Sequence, residues 1–238
     1  MISIIIPTLN EEKAIGTTLG QIKDKLTEVE YEIIVADGGS TDRTREIAAR
    51  YATVIDTGHE HTIAWNRNRA AEIAKGEFFA FVDADATIPD PNRFYKFALE
   101  DFARDPELLA VVTNIAVIPE NARVMDRIVY GFVSLLVRFN NNVLHRGATP
   151  GKFQMIRRSA FERIHGYQEH LVVTEDNDII MRLARIGKTR LDPRLTIFHT
   201  GRRAHIMGWP RLLWLWTANY FSFLIFNRSY DKKWKETR

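Results

Sequence analysis

The chain of 238 residues contains no cysteine, which excludes a disulfide framework and any thiolate metal site and fits a reducing compartment. Residues Met1 to Pro7 carry no positive leader and too short an apolar run for a secretory signal, so they are expected to form a first strand. Long apolar runs are also missing. The charge-free stretch 212–226 would reach about 22 Å as a helix, short of a ~30 Å hydrocarbon core. The formal charge of +3 is concentrated at the end, where Arg228, Lys232, Lys233, Lys235 and Arg238 outnumber Asp231 and Glu236. The body is therefore nearly neutral and lacks the basic stripe of a nucleic-acid binder, so no nucleic-acid partner is expected. No repeat or low-complexity linker marks a boundary before about residue 200. One catalytic body over 1–207, followed by an aromatic and basic segment over 208–238, is the expected organisation.

What is present points first to Asp83-Ala84-Asp85, which ends the apolar run Phe78–Val82. That run, bounded by Gly76 and by Pro89 with Asp90, reads as a short buried strand. Two ionised carboxylates at its end are costly to bury without cations or hydrogen bonds. Residues i and i+2 of an extended segment point the same way, so both could face one hard divalent cation. A turn in which the aspartates accept from nearby backbone N–H groups is the alternative.

The first half alternates strand-like and helix-like segments. Strands are expected at 2–6, 31–36, 53–56 and 78–82, and helices at 11–26, 41–51 and 63–74. This order predicts an α/β fold with a mostly parallel, three-layer sheet. Ligands of such sheets sit beyond the carboxyl ends of the strands. Three of those ends carry polar clusters: Thr8 to Glu11, Asp37 to Asp42, and Asp83 to Asp85. Further on, a strand is expected at 108–117, helices at 160–164 and 176–186, and short strands at 190–191 and 196–199.

Two segments are apolar nearly all round. One is 128–137, extending as a helix over about 124–144; the other is 212–226, with Trp214, Trp216, Tyr220, Phe221, Phe223 and Phe226 between Arg211 and Arg228. Aromatic density beside basic flanks favours an interfacial position on a membrane, with packing under the sheet as the alternative.

Five ordered motifs make residues 2–203 resemble family 2 glycosyltransferases of the GT-A fold: Ile4-Ile5-Ile6-Pro7-Thr8-Leu9-Asn10-Glu11; Ile33-Ile34-Val35-Ala36-Asp37-Gly38-Gly39-Ser40-Thr41-Asp42; Arg67-Asn68; Phe81-Val82-Asp83-Ala84-Asp85; and Thr174-Glu175-Asp176. The resemblance implies a nucleotide-sugar donor, GDP-mannose or a UDP-sugar, and Mn2+ or Mg2+. A departing nucleoside diphosphate carries two or three negative charges, which a hard cation offsets as the anomeric bond breaks. Asp85 and Asp83 are the implied metal ligands, with Asp83 also near the ribose, and His199 resembles a further histidine ligand. Asp37 is implied as the acceptor for the nucleobase, Thr8 and Glu11 as base and ribose contacts, and Arg67 as reaching the diphosphate side. Arg202 and Arg203 offer guanidinium forks that match phosphate oxygens.

Asp176, with Glu175 beside it, resembles the general base that deprotonates an acceptor hydroxyl during attack, which would invert the anomeric centre. Capping of the following helix is the other reading of these acids. The Gln-x-x-Arg-Trp signature of processive members is missing, and so are the multiple membrane spans of cellulose-synthase-like enzymes. That favours addition of one sugar. A compact domain with interfacial helices is similar to transferases acting on dolichyl- or polyprenyl-linked acceptors, which implies a lipid-linked acceptor at the cytoplasmic face of a membrane. Other readings are a UDP-sugar transferase with another glycan acceptor and a non-catalytic sugar-nucleotide binder recruited to the membrane. The second would need no base, and so fits Glu175 and Asp176 poorly.

Overall fold

The computed structural model describes residues 1–58 and 61–231. The basic residues Lys232, Lys233, Lys235 and Arg238 of the expected tail lie outside them. The chain runs β1 (Ile2–Thr8), α1 (Ile15–Lys25), β2 (Tyr31–Asp37), α2 (Thr44–Ala48), β3 (Thr53–Asp56), α3 (Ile63–Ile73), β4 (Phe78–Val82), α4 (Pro91–Arg104), β5 (Leu108–Val117), α5 (Val124–Asn142), β6 (Phe153–Arg157), α6 (Arg158–Arg163), α7 (Glu175–Ala184), β7 (Lys188–His199), α8 (Arg202–Met207) and α9 (Trp209–Phe226).

The strands form one seven-stranded sheet in the order β3-β2-β1-β4-β6-β5-β7. All neighbours are parallel except β6, which runs antiparallel to both β4 and β5. Continuous β-branched and aromatic runs explain the central strands. All seven residues of β1 and all five of β4 are buried, as a sheet covered on both faces requires. Ile2, Ile4 and Ile6 face a core with α1, α4 and the first turn of α9, through Leu19, Tyr95, Trp209 and Leu212. Ile5, Phe79 and Phe81 face a second core with α3, α6 and α7, through Ala70, Phe161 and Ile179. Gly76 is needed where the chain enters β4, because a Cβ there would lie 2.5 Å from the backbone nitrogen of Ser3.

Several expected bounds shift for local reasons. α1 begins at Ile15 rather than Glu11, because the preceding loop turns through Asn10, which has φ +51°. α4 and β6 did not stand out in the sequence, since α4 alternates charged and aromatic residues and β6 is only five residues long. The two short segments expected at 190–191 and 196–199 are one strand, β7, whose register slips against β5 between Thr113 and Asn114. α5 spans the far edge of the sheet: Tyr130 joins the first core and Val137 the second. Asp126 buckles α5 to the terminal helices, accepting from the Trp209 indole at 2.9 Å and lying 2.7 Å from His205 Nε2. Among the described residues, no helix is long and apolar enough to cross a membrane.

Candidate active site

The carboxyl ends of β1, β2 and β4 lie side by side, with Thr8 opposite Asp37 in the register. The reversed strand β6 brings its leading end to the same rim. Val82 pairs with Phe153, and the Asp83 N–H donates to the Lys152 carbonyl at 3.1 Å. Lys152 is a residue that sequence reasoning missed. It precedes a strand running against its neighbours, so its place at a rim of strand ends had no signal in the local pattern.

The side chains at this rim form an alternating ladder of charge. Glu175 Oε1 accepts from Arg67 Nη1 at 3.0 Å, and Arg67 Nη2 donates to Asp83 Oδ1 at 3.2 Å. Lys152 Nζ then bridges Asp83 Oδ2 at 3.1 Å and Asp85 Oδ1 at 2.7 Å. Beside the ladder, Arg202 Nη2 donates to Glu11 Oε1 at 3.3 Å. Burial works against the Lys152 ammonium, but Asp85 and Asp83 outweigh it and hold the amine above its ordinary range. Burial would raise Asp85; Lys152, with Arg202 farther off, holds it below the usual carboxylate range instead.

Arg67 is held within the ladder. Its side chain is 5% exposed, both Nη atoms are engaged by carboxylates, and the guanidinium lies 5.2 Å from the Tyr167 ring centroid. It forms a strut between the Asp83 strand end and the α7 acids. Neighbouring Asn68 pins the strut's far wall, accepting from Tyr167 N–H and donating to the Tyr167 carbonyl, both at 2.9 Å.

Asp37 and Thr8 lie at the same end of the sheet, with their side chains turned to each other. Asp37 is fully buried, and its oxygens accept from Gly39 N–H, Ser40 N–H, the Ser40 hydroxyl and the Thr8 hydroxyl at 2.6–3.1 Å. The carboxylate organises the loop after β2, and the Thr8 hydroxyl is turned toward it rather than toward a base or ribose. Glu11 stays at the rim, where burial raises its pKa and Arg202 opposes the rise. Burial lowers the Arg203 pKa, and the Asp231 carboxylate opposes that.

On α7, Thr174 takes φ +69° and makes no side-chain cap, so the acids that follow are not explained by hydroxyl capping. Asp176 Oδ1 accepts from Asn177 N–H at 2.8 Å, leaving Oδ2 as the oxygen facing Gly151. Gly151 has φ +81°, a conformation that favours glycine, and a Cβ there would stand 2.9 Å from Oδ2 and press on the carboxylate. Burial raises the Asp176 pKa, against the pull of Arg67. Burial and then Asp176 push Glu175 up to about 8, with Arg67 opposing.

A stability effect follows. A carboxyl that holds its proton more tightly when folded contributes stability that is full below its unfolded pKa and lost as pH rises through the folded one. Between the ordinary value of 4.5 and about 8, Glu175 therefore makes the protein less stable as pH rises. Glu175→Gln should match the wild type near the acid end of that window and exceed it at the alkaline end. The expected difference is on the order of 1 kcal/mol or more, since one pKa unit is worth ~1.4 kcal/mol. Urea unfolding of both proteins across the window measures it, and parallel curves would refute the assignment.

The metal expectation meets a mixed arrangement. Asp83 and Asp85 supply hard oxygens, which fit Mg2+ or Mn2+ bound by one or two carboxylates with the rest from substrate phosphates. Among the described residues no three acidic or histidine side chains form a ready cage. His199 is buried at the end of β7, and its Nε2 has no hydrogen-bond partner. Gly201 N–H donates to its Nδ1 at 3.1 Å, so the neutral ring carries its proton on Nε2. Ligation by Nε2 would require Gly201 to release Nδ1. Burial, with Lys152 nearby, lowers the His199 pKa to about 4, so the ring is neutral at pH 7. Tyr130 packs edge-on against it, with centroids 5.1 Å apart, and touches Trp209 at the same separation.

The fold is shared with solved glycosyltransferases. The mannosyltransferase PcManGT from Pyrobaculum calidifontis, in complex with GDP-Man and Mn2+, superposes with a TM-score of 0.66 at 22% identity, over 84% of this chain and 56% of that one. Among curated relatives, the succinoglycan biosynthesis protein ExoA of Rhizobium meliloti (strain 1021) is 28% identical over 199 residues, covering 77% of this chain and 58% of its own. The O-antigen chain rhamnosyltransferase WbaN of Salmonella anatum is 26% identical over 204 residues, covering 78% and 61%. The chain thus spans about three-fifths of the length of these relatives. The profile of Glycosyl transferase family 2 matches residues 3–165, more than half of the chain, and the GT-A sheet and the rim of carboxylates agree with it: the chain belongs to glycosyl transferase family 2.

Proposed function

We propose that this chain transfers one sugar, with inversion, from a nucleotide-sugar donor to a lipid-linked acceptor at the cytoplasmic face of a membrane. The observation that carries the reading is the ladder itself, which joins the Asp83–Asp85 strand end to Asp176 through Arg67 and Glu175. A donor seated over the strand ends would place its diphosphate at Asp83 and Asp85, with Asp176 Oδ2 on the acceptor side. A divalent cation held by Asp85 and Asp83 would supply charge neutralisation for the leaving diphosphate. Asp176 would take the acceptor proton as the oxygen attacks, its raised pKa making it a stronger base than an ordinary aspartate. Glu175, fixed by Arg67, would keep α7 in place. Mannose from GDP-mannose is the donor that the PcManGT likeness supports.

The acceptor side rests on surface chemistry. Ile128, Phe132 and Leu135 repeat at helical spacing on α5 and are 59–63% exposed, and Trp214, Phe221 and Ile225 do so on α9 at 56–68%. Arg127, Arg138, Arg211 and Arg228 flank them, a pattern suited to an anionic lipid surface.

Thermal unfolding with GDP-mannose and a panel of UDP-sugars, each with and without Mn2+, tests the donor. A true donor at a hundred times its Kd should stabilise by about 2.7 kcal/mol, and chelator should remove the gain. A protein indifferent to every donor would refute the reading. Sedimentation with anionic vesicles tests the surface: Phe132→Ser with Trp214→Ser should lower partitioning by at least about a hundredfold, since each large apolar side chain contributes roughly 1.5–3 kcal/mol when buried and ~1.4 kcal/mol is tenfold. Unchanged partitioning would detach the two helices from lipid.

A further inference from the structure

The cation of the ladder that no expectation foresaw is Lys152. Its ammonium lies within hydrogen-bond distance of one oxygen of each aspartate, 2.7 Å from Asp85 and 3.1 Å from Asp83. A divalent ion ligated at about 2.0–2.2 Å by the same pair would need the space that this ammonium fills, so the two cannot be resident together. The placement is built in. The backbone of Lys152 sits at φ +67°, where side-chain-bearing residues are rare, directly after Gly151 at φ +81°, and its carbonyl is tied to the Asp83 N–H. The side chain is nevertheless 24% exposed, which gives it a way out toward the open rim. Of the other nearby cations, Arg202 is paired with Glu11 and Arg67 reaches Glu175 and the far oxygen of Asp83, so Lys152 alone bridges the two aspartates.

We propose that Lys152 is a resident counter-cation that holds the Asp83–Asp85 site closed to divalent metal until a nucleoside diphosphate arrives. The diphosphate takes the ammonium in exchange, and the metal enters with it. Metal and nucleotide then bind with positive coupling, which by linkage is the same in either order. The inference rests on the glycosyltransferase reading for the identity of the nucleotide, whereas its central test needs the protein and metal alone.

Mn2+ titration followed by electron paramagnetic resonance, on wild type, Lys152→Met and Lys152→Arg, decides it. Without nucleotide, Lys152→Met should bind Mn2+ at least about tenfold more tightly than wild type, because Asp85 loses the ammonium that it pairs with and Asp83 keeps only Arg67. Lys152→Arg, which keeps the charge, should stay near wild type. GDP or UDP should tighten Mn2+ binding by wild type at least about tenfold and by Lys152→Met much less, a coupling within the usual range. Lys152→Met that binds Mn2+ no more tightly than wild type overturns the proposal, as does a lack of Mn2+ binding by both. If Lys152→Met fails to fold by circular dichroism, amine acylation of the wild type decides. Saturating Mn2+ should raise Lys152 labelling severalfold, and unchanged labelling overturns the proposal. Failure of the glycosyltransferase reading would show separately, as indifference to every nucleotide.

Discussion

Asp176→Asn is expected to slow transfer to a hydroxyl acceptor by about 10²–10⁴-fold, the usual contribution of a positioned general base. Asparagine keeps the shape and can still accept from Asn177 N–H through its carbonyl oxygen, so the fold and donor affinity should stay within about twofold of wild type. Steady-state kinetics with donor held saturating measures the change in kcat. The outcome also reports on the acceptor. A lipid phosphate is already anionic and needs no proton removed, so near-normal transfer by Asp176→Asn to such an acceptor would sink the base assignment. The same variant should lower the Glu175 pKa, because Asp176 contributes to its rise.

Removing the strut should have the largest effect on stability. Arg67→Met takes from buried Glu175 its cation and one of two cations from Asp83. Breaking a buried ion pair from one side costs ~3–5 kcal/mol, because the stranded charge keeps its desolvation penalty. That full cost applies only where Glu175 is ionised; where its raised pKa keeps it protonated the loss should be smaller, and Asp83, 30% exposed, still has Lys152. The loss should be steeper at alkaline pH, where Glu175 cannot remain protonated. Pairing Arg67→Met with Glu175→Gln should recover a large part of it, a coupling that urea unfolding of the double-mutant cycle reads directly. Additive losses in the cycle would refute the strut.

The parallel half of the sheet was legible because its strands are apolar on both faces and end in polar clusters. Ile2–Ile6, Tyr31–Ala36 and Phe78–Val82 all match observed strands to within two residues. The aspartates at 83 and 85 and the acids at 175 and 176 were legible because packing alone does not explain them. What those residues touch was not. Arg67 looked like an arm into the donor pocket, yet its partners lie 16 and 108 residues away and their approach depends on how α3 meets α7. Asp37 looked like a ligand contact, but its hydrogen bonds turn inward, a matter of loop conformation that residue type does not encode. Lys152 was invisible because strand-end reasoning looks after strands, and this residue stands before one.

The reversed strand also bears on how the molecule is made. In the sheet β5 has two neighbours, β6 and β7, and both are later in the chain. The first four strands can zip up in sequence as they emerge. The segment 108–117 cannot, and its Leu108, Ala110, Val111 and Val112, all fully buried at the end, must wait until residue 153 and those after it exist. Through that interval β4 presents an open edge where β6 will slot in, the kind of surface on which chains stick to one another. Synthesis halted short of β6 would leave both the open edge and the waiting strand, so truncations in the 118–152 interval should be found aggregated or chaperone-bound rather than as free half-domains.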